Sequence, residues 1–490
     1  MKDQKRIVIV GGGFAGTALA RELERALPDA YRVVLVSEES YTTFNPMLAE
    51  VVGASVFPEH VVAPIRQMLR RSQFVMGRVD AVDPARRTIT ANTLAGRQDM
   101  AYEHLVFAFG TRANLDLLPG LAQHALPLKL VGDAMFIRNR VLQRVARIEL
   151  EANPLQRRSL GHFIVIGGGF SGVEVAGELA DFLRSARRYY PRVQAHELKV
   201  TLLHDAPRLL LELPESLGVS ATKSLRERHI DVRLKARASR VEADGVQLEN
   251  GEFLRGATVI CTIGTKPNPL VERLGLSLQR GRIVTADDLS VAGVDNVWAI
   301  GDCALIRNHA GAPAPTSPVG AASAAAYCPP TAQFAVAQAH ALARNLVARI
   351  AGATTQPFGH TSRGMMATTG HLKGVAQVAG VRLSGLPAWL LWRAYYLLLM
   401  PTWGRKVRIF VEWTWGMFFA ADITHLRFTR TGEADAANGA AVTTPRAFGP
   451  AAPLTLAQPQ PWRSRNDSHP SPPPQIRTCG TTAYGSCLGS

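Results

Sequence analysis

The chain has 490 residues, of which 47% are hydrophobic and 19% charged, and its formal net charge is +16. This balance excludes disorder over most of the length and leaves room for roughly three domains. The charge admits nucleic acid, anionic lipid or anionic cofactors as partners. No zinc-finger, homeodomain or RNA-recognition pattern is present in the sequence, so we predict no nucleic-acid binding.

The N-terminal segment has the pattern of a dinucleotide-binding βαβ unit. The β-branched run RIVIV is followed at once by GGGFAG and then by the helical sequence ALARELERAL. Gly11, Gly13 and Gly16 fit GxGxxG, which permits a tight turn, a close pyrophosphate and close helix packing. Phe14 and Ala15 complete this predicted contact. Phosphate would lie at the helix N-terminus, where free N–H groups favour an anion.

The second predicted strand, YRVVLVSEES, ends in two acidic residues. A carboxylate at this place accepts hydrogen bonds from an adenosine ribose. We predict this role for Glu38. A lone glycine turn can be purely structural, but strand, helix and acid together favour a nucleotide site.

A second unit of the same kind lies in the middle of the chain. Gly167, Gly169 and Gly172 precede the helix VEVAGELADFLRSA, and the next strand leads to Asp205. Two such units imply two dinucleotides. A carboxylate would repel a 2′-phosphate, so Asp205 favours NADH over NADPH. Arg208 lies close by, and it either accommodates such a phosphate or has a structural role.

Glu174 follows the second glycine turn by two residues, on the first turn of the predicted helix. One interpretation is a carboxylate stabilised by the helix dipole. The other places it beside a nicotinamide and a flavin, where it orients the rings or handles a proton. The residues alone leave both interpretations open.

The cysteines show neither a CxxC pair nor the spacing of metal ligands, and no secretory signal precedes the first strand. They are Cys261, Cys303, Cys328, Cys479 and Cys487. We therefore predict reduced thiols and no metal site.

Three further motifs, VFAFGT, CTIGTKPNP and VWAIGDCA, follow the glycine turns in a fixed order. The set resembles the two-dinucleotide-binding flavoprotein superfamily over about residues 5 to 345. The resemblance implies FAD in the first fold and NAD(H) in the second, which is inserted in the first. It also implies that Gly110, Gly301 and Asp302 contact FAD and that Gly264 contacts NAD.

Disulfide reductases of this superfamily carry CxxxxC soon after the first ribose acid. This chain reads YTTFNPMLAEVVG there, without a cysteine. A redox-active disulfide of that kind is excluded, so reduced flavin would pass its electrons directly to another acceptor.

The C-terminal third narrows the resemblance. PPTAQFAVAQAHALARNL and SGLPAWLLWRAYYLLLMPTWGRKVRIFVEWTW look like the type II NADH dehydrogenases, the single-subunit NADH:quinone oxidoreductases of respiratory chains. This implies hydride transfer from NADH to FAD and electron transfer to a membrane quinone, without proton pumping. It places Glu174 at the nicotinamide and flavin as a catalytic residue. Phe44, Asn45 and Pro46 match a family stretch near the flavin.

The quinone site of that family usually carries two glutamines as AQxxxQ. This chain has Gln333 and Gln338, in which the second glutamine is one place late. One residue on a helix is a rotation of about 100°. Gln338 therefore need not point where the family residue does, and Gln333 is our first candidate for catalytic contact with flavin or quinone.

Residues 386–416 hold five of the seven tryptophans. Between His360 and Arg430, nine Lys or Arg stand against Glu412 and Asp422. Tryptophan beside cations is typical of a surface that binds anionic lipid. Because no apolar run reaches the ~18 to 20 residues of a transmembrane helix, we predict a peripheral, monotopic protein on the cytoplasmic face of the cell membrane. A helical hairpin packed on the flavin domain or in a dimer interface is the alternative.

The predicted fold class is α/β: two Rossmann-like dinucleotide-binding domains and a C-terminal α-helical, amphipathic, membrane-binding region. A homodimer, common in such enzymes, is the one assembly we consider. The expected parts are the FAD-binding domain (1–125 and 285–350), the NADH-binding domain (126–284), a membrane-associating and quinone-site region (351–430) and a Pro- and Ser-rich disordered tail (431–490).

Two rival functions stay open. A sulfide:quinone oxidoreductase resembles this fold but needs separated cysteines at the flavin, and Cys303 and Cys328 are the one pair available for this. A membrane-docked sensor that binds FAD and NADH with little turnover is favoured by the shifted glutamine.

Overall fold

The computed structural model describes residues 4–310 and 327–426. The predicted tail at 431–490, with Cys479 and Cys487, lies outside the described residues.

The first segment alternates buried strands with helices. Its β-branched strands are buried because both faces of a parallel sheet are covered. The elements are β1 (Lys5–Val10), α1 (Phe14–Ala26), β2 (Tyr31–Ser37), β3 (Tyr41–Thr43), α2 (Leu48–Val52), β4 (Val62–Pro64), α3 (Ile65–Met68), β5 (Gln73–Asp83), β6 (Thr88–Thr93), β7 (Gly96–Ala101), β8 (His104–Phe107) and β9 (Thr111–Ala113).

The second segment repeats the alternation around a sheet of its own. The elements are α4 (Leu121–His124), β10 (Ala125–Pro127), α5 (Val131–Leu150), α6 (Pro154–Leu160), β11 (His162–Ile166), α7 (Phe170–Ala186), β12 (Lys199–Leu203), α8 (Glu215–Glu227), β13 (Asp231–Arg233), β14 (Ala238–Glu242), β15 (Gly245–Leu248), β16 (Phe253–Arg255), β17 (Thr258–Cys261), β18 (Thr265–Pro267) and α9 (Leu270–Arg273). Its sheet has the all-parallel order β10-β17-β11-β12-β13.

The last segment returns to the first domain and then leaves it. Its elements are β19 (Leu278–Gln279), β20 (Arg282–Val284), β21 (Val297–Ala299), β22 (Ala304–Leu305), α10 (Ala332–Ile350), β23 (Gly364–Thr368), β24 (Gly374–Val378), β25 (Val381–Gly385), α11 (Leu386–Leu399) and α12 (Trp403–Phe418).

The first sheet has the order β21-β8-β1-β2-β5-β6-β7. Strand β21 pairs in parallel with β8, although the whole second domain lies between them in the chain. This pairing confirms that the second domain is inserted in the first. In each sheet the strand before the glycine turn, β1 or β11, pairs on both sides. Ligands of such sheets bind outside the carboxyl ends of the strands at this place.

The C-terminal region is more than the predicted helices. Strands β23, β24 and β25 form an antiparallel sheet before the helices begin. The predicted helices are present, and Gly364–Gly385 adds strands that the sequence did not predict. Ala379 and Gly380, both with positive φ, form a two-residue loop between β24 and β25 that is typical of a β-hairpin. The helices α11 and α12 pack together, and we call them the C-terminal hairpin.

Candidate active site

The first glycine turn joins β1 to α1. Gly11 has a φ of +117°, in the region that favours glycine, and its N–H donates to the carbonyl of Val36 at 2.8 Å. A Cβ on Gly16 would overlap the carbonyl oxygen of Gly11, so α1 crosses β1 closely only because residue 16 is glycine. Phe14 and Ala15 are the first residues of α1.

The VWAIGDCA motif meets this turn in space. A Cβ on Gly301 would lie 3.3 Å from the Cβ of Ala15. Asp302 is half-buried beside it, and Gly110 follows β8 at the same edge of the sheet. The structure therefore brings together the residues that the sequence assigned to one cofactor.

Glu38 follows directly after β2, at the carboxyl edge of the first sheet. Its side chain is half-exposed and accepts a hydrogen bond of 3.0 Å from Arg112 on β9. The carboxylate thus lies at the carboxyl edge of the sheet with a cation beside it. Sequence reasoning missed Arg112, which lies 74 positions away in the chain.

The second glycine turn repeats the first. Gly167 has a φ of +120° and its N–H donates to the carbonyl of Leu203. A Cβ on Gly172 would overlap the carbonyl oxygen of Gly167. Asp205 lies after β12 with its carboxylate exposed, 3.4 Å from Nδ1 of His204.

Arg208 has a structural role. Its guanidinium donates to the carbonyl oxygens of Leu210, Leu211 and Leu213 at 2.9 to 3.0 Å. Three bonds to main-chain carbonyls hold the side chain on its own loop. Of the two interpretations, the structure favours the second over a contact with a 2′-phosphate.

A cavity of about 160 Å³ lies between the two domains. Asn45 and Leu48 line it from the first domain, and Ser171 and Glu174 line it from the second glycine turn and its helix. The segment after β17 forms another wall, which consists of Cys261, Thr262, Ile263, Gly264 and Thr265. The cavity also has a cationic group, Lys129, whose Nζ lies 3.5 Å from the hydroxyl of Thr111.

Glu174 is buried rather than placed at the helix N-terminus. Helix α7 begins at Phe170, so Glu174 lies in its second turn, and the prediction of the first turn was wrong. The last motif residues, Phe170, Ser171 and Gly172, are already helical. The carboxylate accepts bonds from the N–H of Thr368 at 3.2 Å and from Nε1 of Trp392 at 3.1 Å. Burial raises the pKa of Glu174 to about 8.

Two further buried carboxyl groups, which sequence reasoning missed, lie near Glu174. Glu50 on α2 accepts a bond of 3.1 Å from Nε1 of Trp413, and burial raises its pKa to about 8. Glu178, one turn after Glu174, accepts a bond of 2.8 Å from Ser55, and burial raises its pKa to about 7. The sequence does carry a signal for Glu50. A single acidic residue within the apolar run MLAEVV is unusual, because apolar neighbours of this kind indicate a buried helix.

The two glutamines of α10 lie on different faces. Gln338 is buried, and its Oε1 accepts a bond of 2.8 Å from the N–H of Gly301. Gln333 accepts a bond of 3.1 Å from the hydroxyl of Ser362 and is absent from the lining of the cavity around Glu174. The structure thus brings Gln338, rather than Gln333, to the Gly301 turn, and it does not bring Gln333 and Glu174 together.

The described cysteines are free and buried. The thiol of Cys303 contacts the carbonyls of Phe107 and Ile300, and burial raises its pKa to about 12. Burial likewise raises the pKa of Cys328 to about 11. Thiols with such pKa values are poor nucleophiles at neutral pH. No His, Cys, Asp and Glu cluster within residues 4–310 and 327–426 could hold a metal ion.

The family model of the pyridine nucleotide-disulphide oxidoreductases matches residues 5–339. The chain belongs to this family. It is 27% identical over 425 residues to "Type II NADH:quinone oxidoreductase Ndh" of Mycobacterium tuberculosis, covering 84% of this chain and 87% of the relative. It is 28% identical to an internal alternative NAD(P)H-ubiquinone oxidoreductase of Solanum tuberosum, with 86% and 89% covered.

Among solved structures, the chain is similar to NDH2 from Plasmodium falciparum in complex with NADH. The TM-score is 0.77 at 18% identity, and the match covers 86% of this chain and all of the other. At this identity the likeness shows the fold, and it extends beyond the two dinucleotide-binding domains of the family.

The glycine turns fit the pyrophosphates of two dinucleotides. A Cβ on Gly13 or on Gly169 would have no atom of the described chain within 4 Å, so open space lies before both helices. Neither α1 nor α7, both fully described, has an acidic residue in its first turn. The positive ends of both helix dipoles are therefore free to attract phosphate.

Proposed function

We propose that the chain is an NADH:quinone oxidoreductase that uses FAD. The observation that carries this proposal is the cavity between the domains, where Glu174 and the second glycine turn face the first domain. Family membership and the names of the similar proteins support it.

The two cofactors divide between the two domains. We assign FAD to Gly11, Gly13, Phe14, Ala15, Gly16, Glu38, Gly110, Gly301 and Asp302, and NADH to Gly167, Gly169, Gly172, Asp205 and Gly264. FAD, when bound, supplies the chemistry of accepting a hydride and passing electrons on. The exposed carboxylate of Asp205 selects against a 2′-phosphate.

Glu174 is the proposed catalytic carboxyl. It lines the cavity, and its raised pKa lets it hold a proton near neutral pH. Reduction of a quinone by NADH consumes one proton from water in each turnover, besides the hydride. A group that exchanges protons near the working pH suits this requirement.

The quinone end of the site is assigned to α10 and the C-terminal hairpin. Gln338 holds the Gly301 turn, while Gln333 faces the segment before β23. We keep Gln333 as the candidate for quinone contact and give Gln338 the role of holding the Gly301 turn. A sulfide-dependent reaction is disfavoured, because neither Cys303 nor Cys328 forms a reactive thiolate.

The hairpin is the proposed membrane surface. Its buried side includes Trp389, Trp392, Ile409 and Trp413. Its exposed apolar side chains are Leu386, Leu390, Leu398, Leu399, Trp403, Val407, Phe410, Val411, Trp415, Met417 and Phe418. Such an exposed apolar set marks an interaction surface. No helix in the described residues is both long and apolar enough to cross a bilayer.

We propose that this face binds anionic lipid on the cytoplasmic side of the cell membrane. A homodimer through the same face is the competing use. Sedimentation with vesicles that contain anionic lipid tests whether the hairpin binds lipid or a second copy of the chain. Trp403→Ser with Phe410→Ser is expected to abolish co-sedimentation and leave NADH-driven flavin reduction in detergent intact. Unchanged co-sedimentation would remove the hairpin from membrane binding.

Sequential stopped-flow mixing tests the proposed function. The purified yellow protein is mixed anaerobically with NADH and then with a short-chain ubiquinone, while flavin absorbance is followed. We expect bleaching by NADH and recovery by quinone. Bleaching without recovery would support the sensor, and no bleaching would contradict the oxidoreductase.

A further inference from the structure

The buried side of the C-terminal hairpin reaches the carboxyl groups of the active site. Nε1 of Trp392 on α11 donates to Oε1 of Glu174, and Nε1 of Trp413 on α12 donates to Oε2 of Glu50, each at 3.1 Å. The two indole rings lie 6.2 Å apart. Each helix of the hairpin therefore provides one donor to one buried carboxyl group.

The cation of Arg393 strengthens the contact between the C-terminal hairpin and the buried carboxyl groups. The guanidinium of Arg393 lies 3.7 Å from the ring centre of Trp389 and 4.7 Å from that of Trp413. Its charge attracts both Glu50 and Glu178. Burying this cation between indoles is favourable only while these carboxyl groups lie close to it.

The aromatic chain runs from α11 to the first glycine turn. Trp392 packs edge-on against Tyr396, Tyr396 against Phe44, and Phe44 against Phe14, with ring centres 4.7 to 5.8 Å apart. The hairpin thus reaches the helix of the first turn through Phe44, and it contacts Glu174 in the helix of the second turn directly.

We propose that Trp392 and Trp413 are positioning residues of the active site, through which the C-terminal hairpin sets the orientation and charge state of Glu174. This inference rests on the proposed function, since it concerns the same cavity. The hairpin is then a part of the reaction site as well as a surface for lipid.

The two indoles act on Glu174 in opposite directions. The bond from Trp392 stabilises the ionised form of Glu174 and lowers its pKa against the effect of burial. The bond from Trp413 stabilises ionised Glu50, whose negative charge raises the pKa of Glu174. Losing the first bond should raise the pKa of Glu174, and losing the second should lower it.

The remaining charged and titratable groups around Glu174 are not themselves substituted, and Trp392→Phe and Trp413→Phe each keep an aromatic ring beside them. They are Glu178 on α7, Arg393 and Tyr396 on α11, and Lys129 in the cavity wall. A difference between the two variants therefore reports the two indole bonds.

The test measures the pH profile of flavin reduction by NADH in the FAD-loaded protein, without quinone. Trp392→Phe keeps an aromatic ring and removes the hydrogen-bond donor. This substitution should raise the midpoint of the pH profile by about one pH unit. Trp413→Phe should move it down by a smaller amount. In a Glu174→Gln background neither substitution should change the profile.

Trp298→Phe is the matched control, because Trp298 is a buried indole that donates to His104 in the core of the first domain. It should leave the midpoint unchanged. Equal midpoints in Trp392→Phe, Trp413→Phe and wild type would overturn the inference, as would shifts of the same sign. If Trp392→Phe fails to bind FAD, the direction of the Trp413→Phe shift decides. Wild-type protein that NADH does not bleach would instead refute the proposed function.

Discussion

The two glycine turns share a backbone conformation and differ in a side chain that can titrate. Gly11 and Gly167 have φ values of +117° and +120°, and both turns open a helix with a free N-terminus. Two residues after the last glycine, the first helix has Ala18 and the second has Glu174. We propose that the backbone of either turn holds a phosphate, and that Glu174 makes the second turn the chemically active one.

Breaking each turn separately gives the largest expected effects. Gly16→Ala and Gly172→Ala each introduce a Cβ that overlaps a carbonyl oxygen. We expect Gly16→Ala to lose bound flavin and Gly172→Ala to keep it but weaken NADH binding about 100-fold. Flavin absorbance and NADH titration check both. Flavin loss in both variants alike would contradict the assignment of one cofactor to each turn.

Removing the distinguishing carboxyl group comes next. Glu174→Gln preserves shape and removes the titrating group, so flavin should remain bound while its reduction slows about tenfold or the absorbance of the NADH complex changes. Ala18→Ser, at the matching position of the first turn, is the control and should stay within about twofold. An unchanged rate and complex in Glu174→Gln would remove this residue from the mechanism.

Local sequence was enough for both turns, because strand, glycines and helix are contiguous in each. The resemblance to the flavoprotein superfamily implied the insertion, and the tryptophan-rich stretch indicated the helices of the C-terminal hairpin. The β23–β25 sheet and the group of Glu50, Glu174 and Glu178 were not predictable in this way. Glu50 and Trp413 are 363 positions apart, so their contact depends on packing that no local pattern encodes.

Asp205 and Glu38, the two carboxylates proposed to bind ribose, offer a smaller contrast between the two sites. Asp205→Asn removes an exposed negative charge, so the preference for NADH over NADPH should fall by about three- to fivefold. Glu38→Gln should leave this preference unchanged and loosen FAD instead. Specificity constants for both nucleotides and the dissociation of flavin check the pair. A change of preference in Glu38→Gln would show that the two sites were assigned in the wrong order.

The smallest expected effect concerns stability. Burial raises the pKa of Glu50 from 4.5 to about 8, so its contribution to stability is fully present below about 4.5 and is lost as pH rises through about 8. Glu50→Gln stays neutral, and its Tm should fall less than that of wild type between pH 7 and pH 9, by about 2 to 4 °C. Parallel Tm profiles would show that Glu50 is already ionised in the folded protein.

The most direct test of the central claim is a single-turnover comparison of NADH with NADH deuterated at C4 of the nicotinamide. If the two turns bring nicotinamide and flavin together at the cavity of Glu174, flavin bleaching will be complete with both and slower with the deuterated form. If neither form of NADH bleaches the flavin, the account is contradicted.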